Sequence, residues 1–495
     1  MSSSPRCEHR KIAIIGSGLA GLSSAVQLAH AGGKVTVFEK LDQPGGRLVG
    51  YEQDGFAWDT VSGSLTRPGV LRQLFARLGR KLEDYLKLVP LPVACRYFWP
   101  DGTRIDHDEK FRQRPEVAKY LEFAKGALAI ADSFNGLVEH EWWKSVPSLL
   151  AQARHWPKLI PGLTLHRLSQ WFYKDPHLIQ LFDRLATRTG SSPFAAPAFL
   201  SLFAAAEAEE GAWAVEGGTR QIVQALLRVA REEGVEILTG TEITGIYGSN
   251  VAIAGKWQSF DATICTQDAL MAYQALLPRK RTGEFRDAYL TRYRASFSSY
   301  SLLLGVKGQY PQLACSNLLF SSNHAREFLQ LVKERAIPEE PTIELTVCSK
   351  SAPESAPEGC ESWLVRVSAP AYRSSIKWEE QGRPFGDRII SRLEASFGLA
   401  DLGKHIVTRH DVTPTDLLTR FQIFGGAEHG FASHNLRNAL LGPQVSPPGM
   451  LGFFFAGNSM RPTGGITQVL QNADRAVLSA MGHLRGLPPI EARDL

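Results

Sequence analysis

The chain is short of cysteine: Cys7, Cys95, Cys265, Cys315, Cys348 and Cys360 are scattered over 495 residues, with no CxxC pair and no zinc-type spacing. That argues against a disulfide framework and a zinc module, and reduced thiols in a cytoplasmic setting are expected. Long apolar runs are missing too. No stretch approaches the roughly eighteen uncharged apolar residues of a membrane-crossing helix. The start, Met1-Ser2-Ser3-Ser4-Pro5-Arg6, lacks an apolar signal core. The expected protein is cytoplasmic, with peripheral attachment to a membrane as the other option. Charge of one sign is also scarce, because 55 Lys and Arg stand against 50 Asp and Glu for a net +5. Nucleic acid is therefore not an expected partner, whereas an anionic lipid surface stays compatible. The histidines show no HExxH spacing, so no metal is expected, and His410 and His429 read as structural or surface residues. No catalytic triad is visible.

What the chain does have is an opening laid out for a dinucleotide. Ile12 to Ile15 form a short β-branched run suited to a buried strand, followed by the turn Gly16-Ser17-Gly18-Leu19-Ala20-Gly21. In such a turn Gly16 allows the tight bend, Gly18 lets backbone approach a pyrophosphate, and Gly21 lets the next helix pack on the strand. The helix from Leu22 to Ala31 aims its free N–H groups and positive dipole end at the phosphates. Gly32-Gly33 stops it, Lys34 to Phe38 forms the second strand, and Glu39, with Lys40 beside it, arrives about twenty residues after the glycines. A carboxylate there accepts ribose hydroxyls and disfavours a 2′-phosphate, which makes NADP a poor fit. Gly45-Gly46-Arg47 adds a second backbone approach and a guanidinium suited to a phosphate or a flavin edge. No second complete GxGxxG offers a nicotinamide site.

The length leaves room for two or three domains, and 44% hydrophobic with 21% charged residues is ordinary for a globular chain. Beyond the nucleotide unit, Leu71 to Leu78 has helical spacing, and Arg96 to Trp99 and Thr103 to Ile105 flank a hairpin turn at Pro100-Asp101-Gly102. Residues 110 to 210 are mostly helical in pattern. An α/β pattern returns at Trp213 to Arg220, with a helix from Gln221 to Glu233 and strands ending at Leu238 and Cys265. Strands such as Ser301 to Leu304 and Trp363 to Val367 mark a mixed region, and the biased segment Ser351 to Gly359 reads as an exposed loop. The apolar strand at Gly452 to Phe455 runs into Ala456-Gly457-Asn458, and Pro462-Thr463-Gly464-Gly465-Ile466 opens a last helix. A backbone turn and a helix N-terminus are thus offered to a ligand from both ends of the sequence.

In order along the chain, these blocks resemble the phytoene desaturase family, the bacterial-type FAD-dependent carotenoid desaturases within the flavin amine oxidase-like superfamily. The blocks that carry the resemblance are the N-terminal fingerprint, Asp54-Gly55-Phe56 with Asp59, the hairpin at Asp101-Gly102, Gly190 to Ala198, Val215 to Gly218, Phe260-Asp261-Ala262, Thr413 to Asp416, and Phe455 to Gly457 with Gly464 to Ile466. The resemblance implies an α/β fold with a Rossmann-like FAD-binding domain assembled from residues 1–85, 211–288 and 441–495. An inserted α+β substrate domain would comprise 86–108 and 289–440, and a helical part, 109–210, would contact the membrane. It further implies that Gly16 to Gly21 hold the pyrophosphate and Glu39 the adenosine ribose, and that Gly46 and Arg47 lie near the flavin. Ile243 would meet adenine through its backbone, and Gly457, Asn458, Gly464, Gly465 and Ile466 would line the flavin and ribityl chain.

The reaction so implied is dehydrogenation of a long isoprenoid such as phytoene, with hydride passing to flavin N5 and a quinone or oxygen as acceptor. The alternatives are a flavin amine oxidase with a smaller polar substrate and a non-redox FAD-dependent carotenoid isomerase. Departures from the family pattern fall at Val61, Asn458, Arg461, Gln468 and Asn472-Ala473. Arg461 is the candidate catalytic residue, since a guanidinium near the flavin would stabilise its reduced anionic form; a salt bridge at the helix start is the competing role. Asp175 and Arg184 read as exposed or paired surface charges. Trp142, Trp143, Trp156, Leu159 to Pro161 and Trp171 to Tyr173 suit either core packing or a membrane-contacting face. Arg279-Lys280-Arg281 suits a solvated turn or anionic lipid.

Overall fold

A computed structural model describes residues 7–61, 63–137, 160, 162–278, 294–373, 375–440, 442–461 and 463–486. Strand β1 (Lys11–Ile15), helix α1 (Leu19–His30) and strand β2 (Lys34–Phe38) open the fold. The Ile-Ala-Ile-Ile face of β1 is buried on both sides because the strand is central. Ile14 is registered with Val37 on one side and with Ile264 on the other. All pairs in this five-stranded sheet are parallel, in the order Glu236–Leu238, β2, β1, Ala262–Cys265, Phe453–Phe455. Strands far apart in sequence therefore deliver their carboxyl ends to one edge, which is where open α/β sheets bind ligands. Helix α1 is covered by the helix Arg220–Glu232 and by the last helix, Ile466–Arg485.

A second, seven-stranded sheet runs in the order Ile406–Val412, Ser298–Lys307, Cys360–Ala369, Ile343–Val347, Ser316–Leu319, Arg96–Phe98, Arg104–Asp106. It is antiparallel except where Ser316–Leu319 lies parallel to Arg96–Phe98. One face packs Leu302, Leu304, Val365 and Val367 against the helix Trp378–Phe397. Helices Pro115–Leu137, Leu165–Phe172, Pro176–Asp183 and Leu202–Glu210 form the third unit around Tyr120, Leu168, Phe182 and Phe203. Thr164 and Asp175 accept hydrogen bonds from the first-turn N–H groups of Arg167 and His177, so side chains cap two of these helices.

One expectation changes. The segment 351–359 is not wholly exposed: Ala352 and Ser355 are buried, and the Ser355 hydroxyl lies 2.7 Å from that of Ser362, which pins the segment onto the adjoining strand. Asp175 is the exposed, paired charge expected, 3.2 Å from His177 Nδ1, and it caps a helix as well. Trp171 is 62% exposed, whereas Tyr173 is buried in the helical core. Trp142, Trp143, Trp156, Leu159, Pro161, Arg279, Lys280, Arg281 and Pro462 lie outside the described residues. Among the described residues no helix is long and apolar enough to cross a membrane.

Candidate functional site

The β1–α1 turn is shaped by absent side chains. A Cβ on Gly21 would sit 1.9 Å from the carbonyl oxygen of Gly16, so only glycine lets α1 start this close to the strand. A Cβ on Gly46 would meet the Gly18 Cα at 3.0 Å, and the Gly45 N–H donates to the Ser17 carbonyl at 3.0 Å. Two bare backbones thus face each other beside the N-terminus of α1. Glu39, at the end of β2, is buried; its Oε2 accepts from the Ser17 N–H at 2.9 Å and the Ser17 hydroxyl at 2.7 Å, and its Oε1 accepts from the Leu41 N–H at 3.0 Å. Ser17 occupies one oxygen of the carboxylate, and Oε1 keeps a lone pair for a further donor.

A cavity of about 430 Å³ opens on this turn. Gly16, Gly18, Leu19, Ala20, Glu39, Lys40, Gly46, Arg47, Ile243, Gly457, Asn458, Gly464, Gly465 and Ile466 all line it. Ser17 and Gly21 sit behind that lining, one holding Glu39 and the other seating α1. Burial holds the Lys40 ammonium below its ordinary pKa, against the opposing pull of Glu242 and Glu39. Bare backbone, a helix N-terminus and a fixed acid at the strand end form a donor and acceptor set that fits a dinucleotide.

From the other end of the chain, Asn458 is held on both edges. Its Nδ2 donates to the Glu428 carbonyl at 2.8 Å and its Oδ1 accepts from the Thr463 hydroxyl at 2.8 Å. Gln468 also reaches the cavity, while Asn472 donates to the Gly457 carbonyl at 3.1 Å from behind. Arg461 is different. Its guanidinium lies 3.7 Å from the Phe431 ring centroid, and Nε donates to the Asn438 carbonyl at 2.9 Å. Nη2 donates to the Phe431 carbonyl. The side chain is buried outside the cavity lining, so carbonyls of the 431–438 segment take the cation that the sequence reading turned toward the flavin.

The rest of the cavity wall is charged, which the sequence reading missed. Arg366 donates to Glu344 at 2.7 Å and to Glu428 at 2.6 Å, and Arg47 donates to the Glu428 carbonyl at 3.1 Å. Burial alone would raise the Glu428 pKa, but Arg366, with His429 and Arg47, holds it at about 2. Burial pushes the Arg47 guanidinium down from its ordinary value, against Glu428. Arg184 is no surface charge. It donates to the Tyr97 hydroxyl at 2.7 Å and to Glu207 at 3.1 Å, and Arg188 donates to the same Glu207. The 3₁₀ turn Arg184–Thr189 directs both side chains inward. His429 also lines the cavity, where burial lowers it to about 4; His410 instead stacks on Tyr51 at 4.1 Å. Dispersed along the sequence, these residues carry no motif. The one local signal is Arg184 and Arg188, four apart and just ahead of Gly190.

One further cluster lies near the wall. Asp183 Oδ2 is 2.6 Å from His166 Nδ1 and 3.3 Å from His324 Nε2. Burial would raise the carboxyl, but bonds to His166 and His324 outweigh it and hold the pKa low. The three ligand-type atoms lie within 4.8 Å of one another, a grouping the spacing of 166, 183 and 324 did not announce.

The sequence profile of flavin containing amine oxidoreductases matches residues 19–286. A 4,4'-diaponeurosporene oxygenase from Staphylococcus aureus (strain bovine RF122 / ET3-1) is 31% identical over 479 residues, spanning 93% of this chain and 96% of the relative. Among solved structures, an oxidoreductase from Methanosarcina mazei superposes with TM-score 0.64 at 16% identity, covering 95% of this chain and all of that one. Putrescine oxidase bound to putrescine gives 0.61 at 13%, covering 96% and 99%. At such identities the solved structures speak for the fold.

Proposed function

Since the chain belongs to the flavin containing amine oxidoreductase family and is an FAD-dependent oxidoreductase, we propose that its substrate is a long carotenoid-like polyene or isoprenoid, as the name of its Staphylococcus aureus relatives suggests. One observation carries the reading. One cavity joins the dinucleotide turn to a wall built from the seven-stranded sheet and the helical unit, so cofactor and substrate would share one continuous space. Gly18, Gly46 and the first turn of α1 would hold the pyrophosphate, Glu39 the ribose, and Gly464 to Ile466 the far end. FAD, when bound there, supplies the acceptor of two electrons. The protein's own part is to orient the chain, exclude water, and keep His107 and His429 neutral, since burial lowers them to about 3 and about 4.

Dehydrogenation to a new double bond is the form of oxidation we propose, with oxygenation, after the relatives' name, as the second outcome. An amine substrate is less well served at this wall: Glu207, Glu344 and Glu428 are already held by Arg184, Arg188 and Arg366, which leaves none of these three for an ammonium. Entry from a membrane surface belongs to the same proposal, with exposed Trp171 on the helical unit as support.

The test is anaerobic reduction of the bound flavin by a panel of liposome-borne isoprenoids and by putrescine, with mass analysis of products. Bleaching by an isoprenoid with loss of two hydrogens is expected for dehydrogenation, and a parallel incubation in air shows gain of oxygen if oxygenation is the reaction. Bleaching by the amine alone overturns the proposal.

A further inference from the structure

The charged wall does not balance at one place. Arg366 and Arg47 face Glu344 and Glu428, so that group is neutral. Among the described residues, Glu207 is the carboxylate that Arg184 and Arg188 both touch, at 3.1 Å for Arg184 and in direct contact for Arg188. Glu344 acts on both from further off, but Arg366 already holds it at 2.7 Å, and the other neighbours add no negative charge. Burial, with Arg184 and Arg188 nearby, keeps His107 neutral by lowering it to about 3, and burial raises the Cys95 thiol to about 11 and the Tyr97 phenol further still. Arg184 Nε is buried and has no hydrogen-bond partner. Two guanidinium groups sharing one carboxylate in a cavity wall leave a donor and a positive charge to be met by whatever enters, because a buried charge left unmatched costs several kcal/mol in general.

We propose that Arg184 and Arg188 form an anion-recognising end of the substrate cavity, which takes the carboxylate end of a long polyene. The inference rests on the polyene reading above and sharpens it: the preferred ligand is a polyene whose end is already oxidised. A planar carboxylate offers two acceptor edges, which suits two guanidinium forks better than a hydrocarbon or an alcohol would. The apolar remainder of such a ligand would lie along Leu318, Leu48 and Val61, which line the same cavity. Glu207 tunes the site, since it consumes one of the two positive charges.

The sign of each substitution follows. Arg184→Gln or Arg188→Gln leaves one guanidinium for one carboxylate and removes the surplus; Glu207→Gln doubles it. The measurement is binding of retinoic acid and of retinol, probes that share a skeleton, to the FAD-loaded enzyme by tryptophan quenching. Wild type should favour the carboxylate by about 10-fold or more, each Arg→Gln variant should bring the ratio near one, and Glu207→Gln should raise it. Bound FAD shows whether a variant has folded; if Arg184→Gln has not, the other two decide, and their opposite signs cannot come from general destabilisation. Equal binding of both probes by wild type overturns the inference and leaves the polyene reading intact. Binding of neither overturns the polyene reading and this inference with it. Variants that alter the flavin spectrum without altering the ratio assign the pair to the cofactor and overturn the inference.

Discussion

Replacing Glu428 by glutamine tests whether the wall is held by charge. The carboxylate accepts from Arg366 at 2.6 Å, and its own backbone carbonyl accepts from Arg47 and Asn458, so the residue joins sheet, turn and cavity. Its pKa falls from 4.5 to about 2 in the fold. At about 1.4 kcal/mol per unit, ionised Glu428 contributes roughly 3 kcal/mol to stability. The sign is that of a depressed carboxylate: the contribution is complete above the unfolded pKa near 4.5, falls as the unfolded chain takes up its proton, and is gone below about 2. Glu344 still holds Arg366 at 2.7 Å in the variant, so the expected loss at neutral pH is about 2–3 kcal/mol. Urea unfolding of both proteins at intervals from pH 7 to pH 3, followed by flavin release and circular dichroism, gives the difference directly. Other carboxylates titrate in both proteins and cancel. The gap should be constant from pH 7 to about 5 and shrink toward pH 3. A gap that stays constant to pH 3, or is absent at pH 7, refutes the ionic account.

Gly21→Ala places a methyl 1.9 Å from the Gly16 carbonyl oxygen; a stability loss of about 2–4 kcal/mol and poor FAD retention are expected, read by thermal unfolding and flavin content. Glu39→Gln puts an amide where three donors now converge on a carboxylate. FAD affinity should fall by about 10- to 100-fold in a fluorescence titration of the apoprotein, and an unchanged affinity would contradict the ribose assignment. Arg461→Met removes the tie to Asn438 and Phe431. Stability should drop by about 1–3 kcal/mol while the absorption spectrum of bound flavin stays the same, whereas a spectral shift would return Arg461 to the cofactor.

The nucleotide end was legible because its chemistry is local. Strand, bare turn, helix and acid fall within the segment from Lys11 to Glu39, and each residue type there follows from a steric or hydrogen-bonding demand that the structure repeats, as at Gly21 and Glu39. The second glycine-rich turn at Gly464-Gly465 could be read the same way. Arg461 could not, because what decides the direction of a long side chain is the set of acceptors around it, and those belong to residues 431 and 438. The charged wall was hidden for a related reason. Glu207, Glu344, Arg366 and Glu428 come from separate elements, and each alone looks like a solvated charge, the usual fate of such residues. Arg184 and Arg188 left a local trace that the expectation of a surface charge at Arg184 passed over, because a solvated pair should lie on the polar face of an amphipathic helix. Here the preceding helix buries Leu178, Leu181 and Phe182, and the turn that follows buries Leu185, Ala186 and Thr189. Charged residues four apart within so apolar a segment have little surface to occupy, so they must face a partner or a cavity. That pattern, rather than any catalytic motif, is the local trace that the charged cavity wall leaves in the sequence.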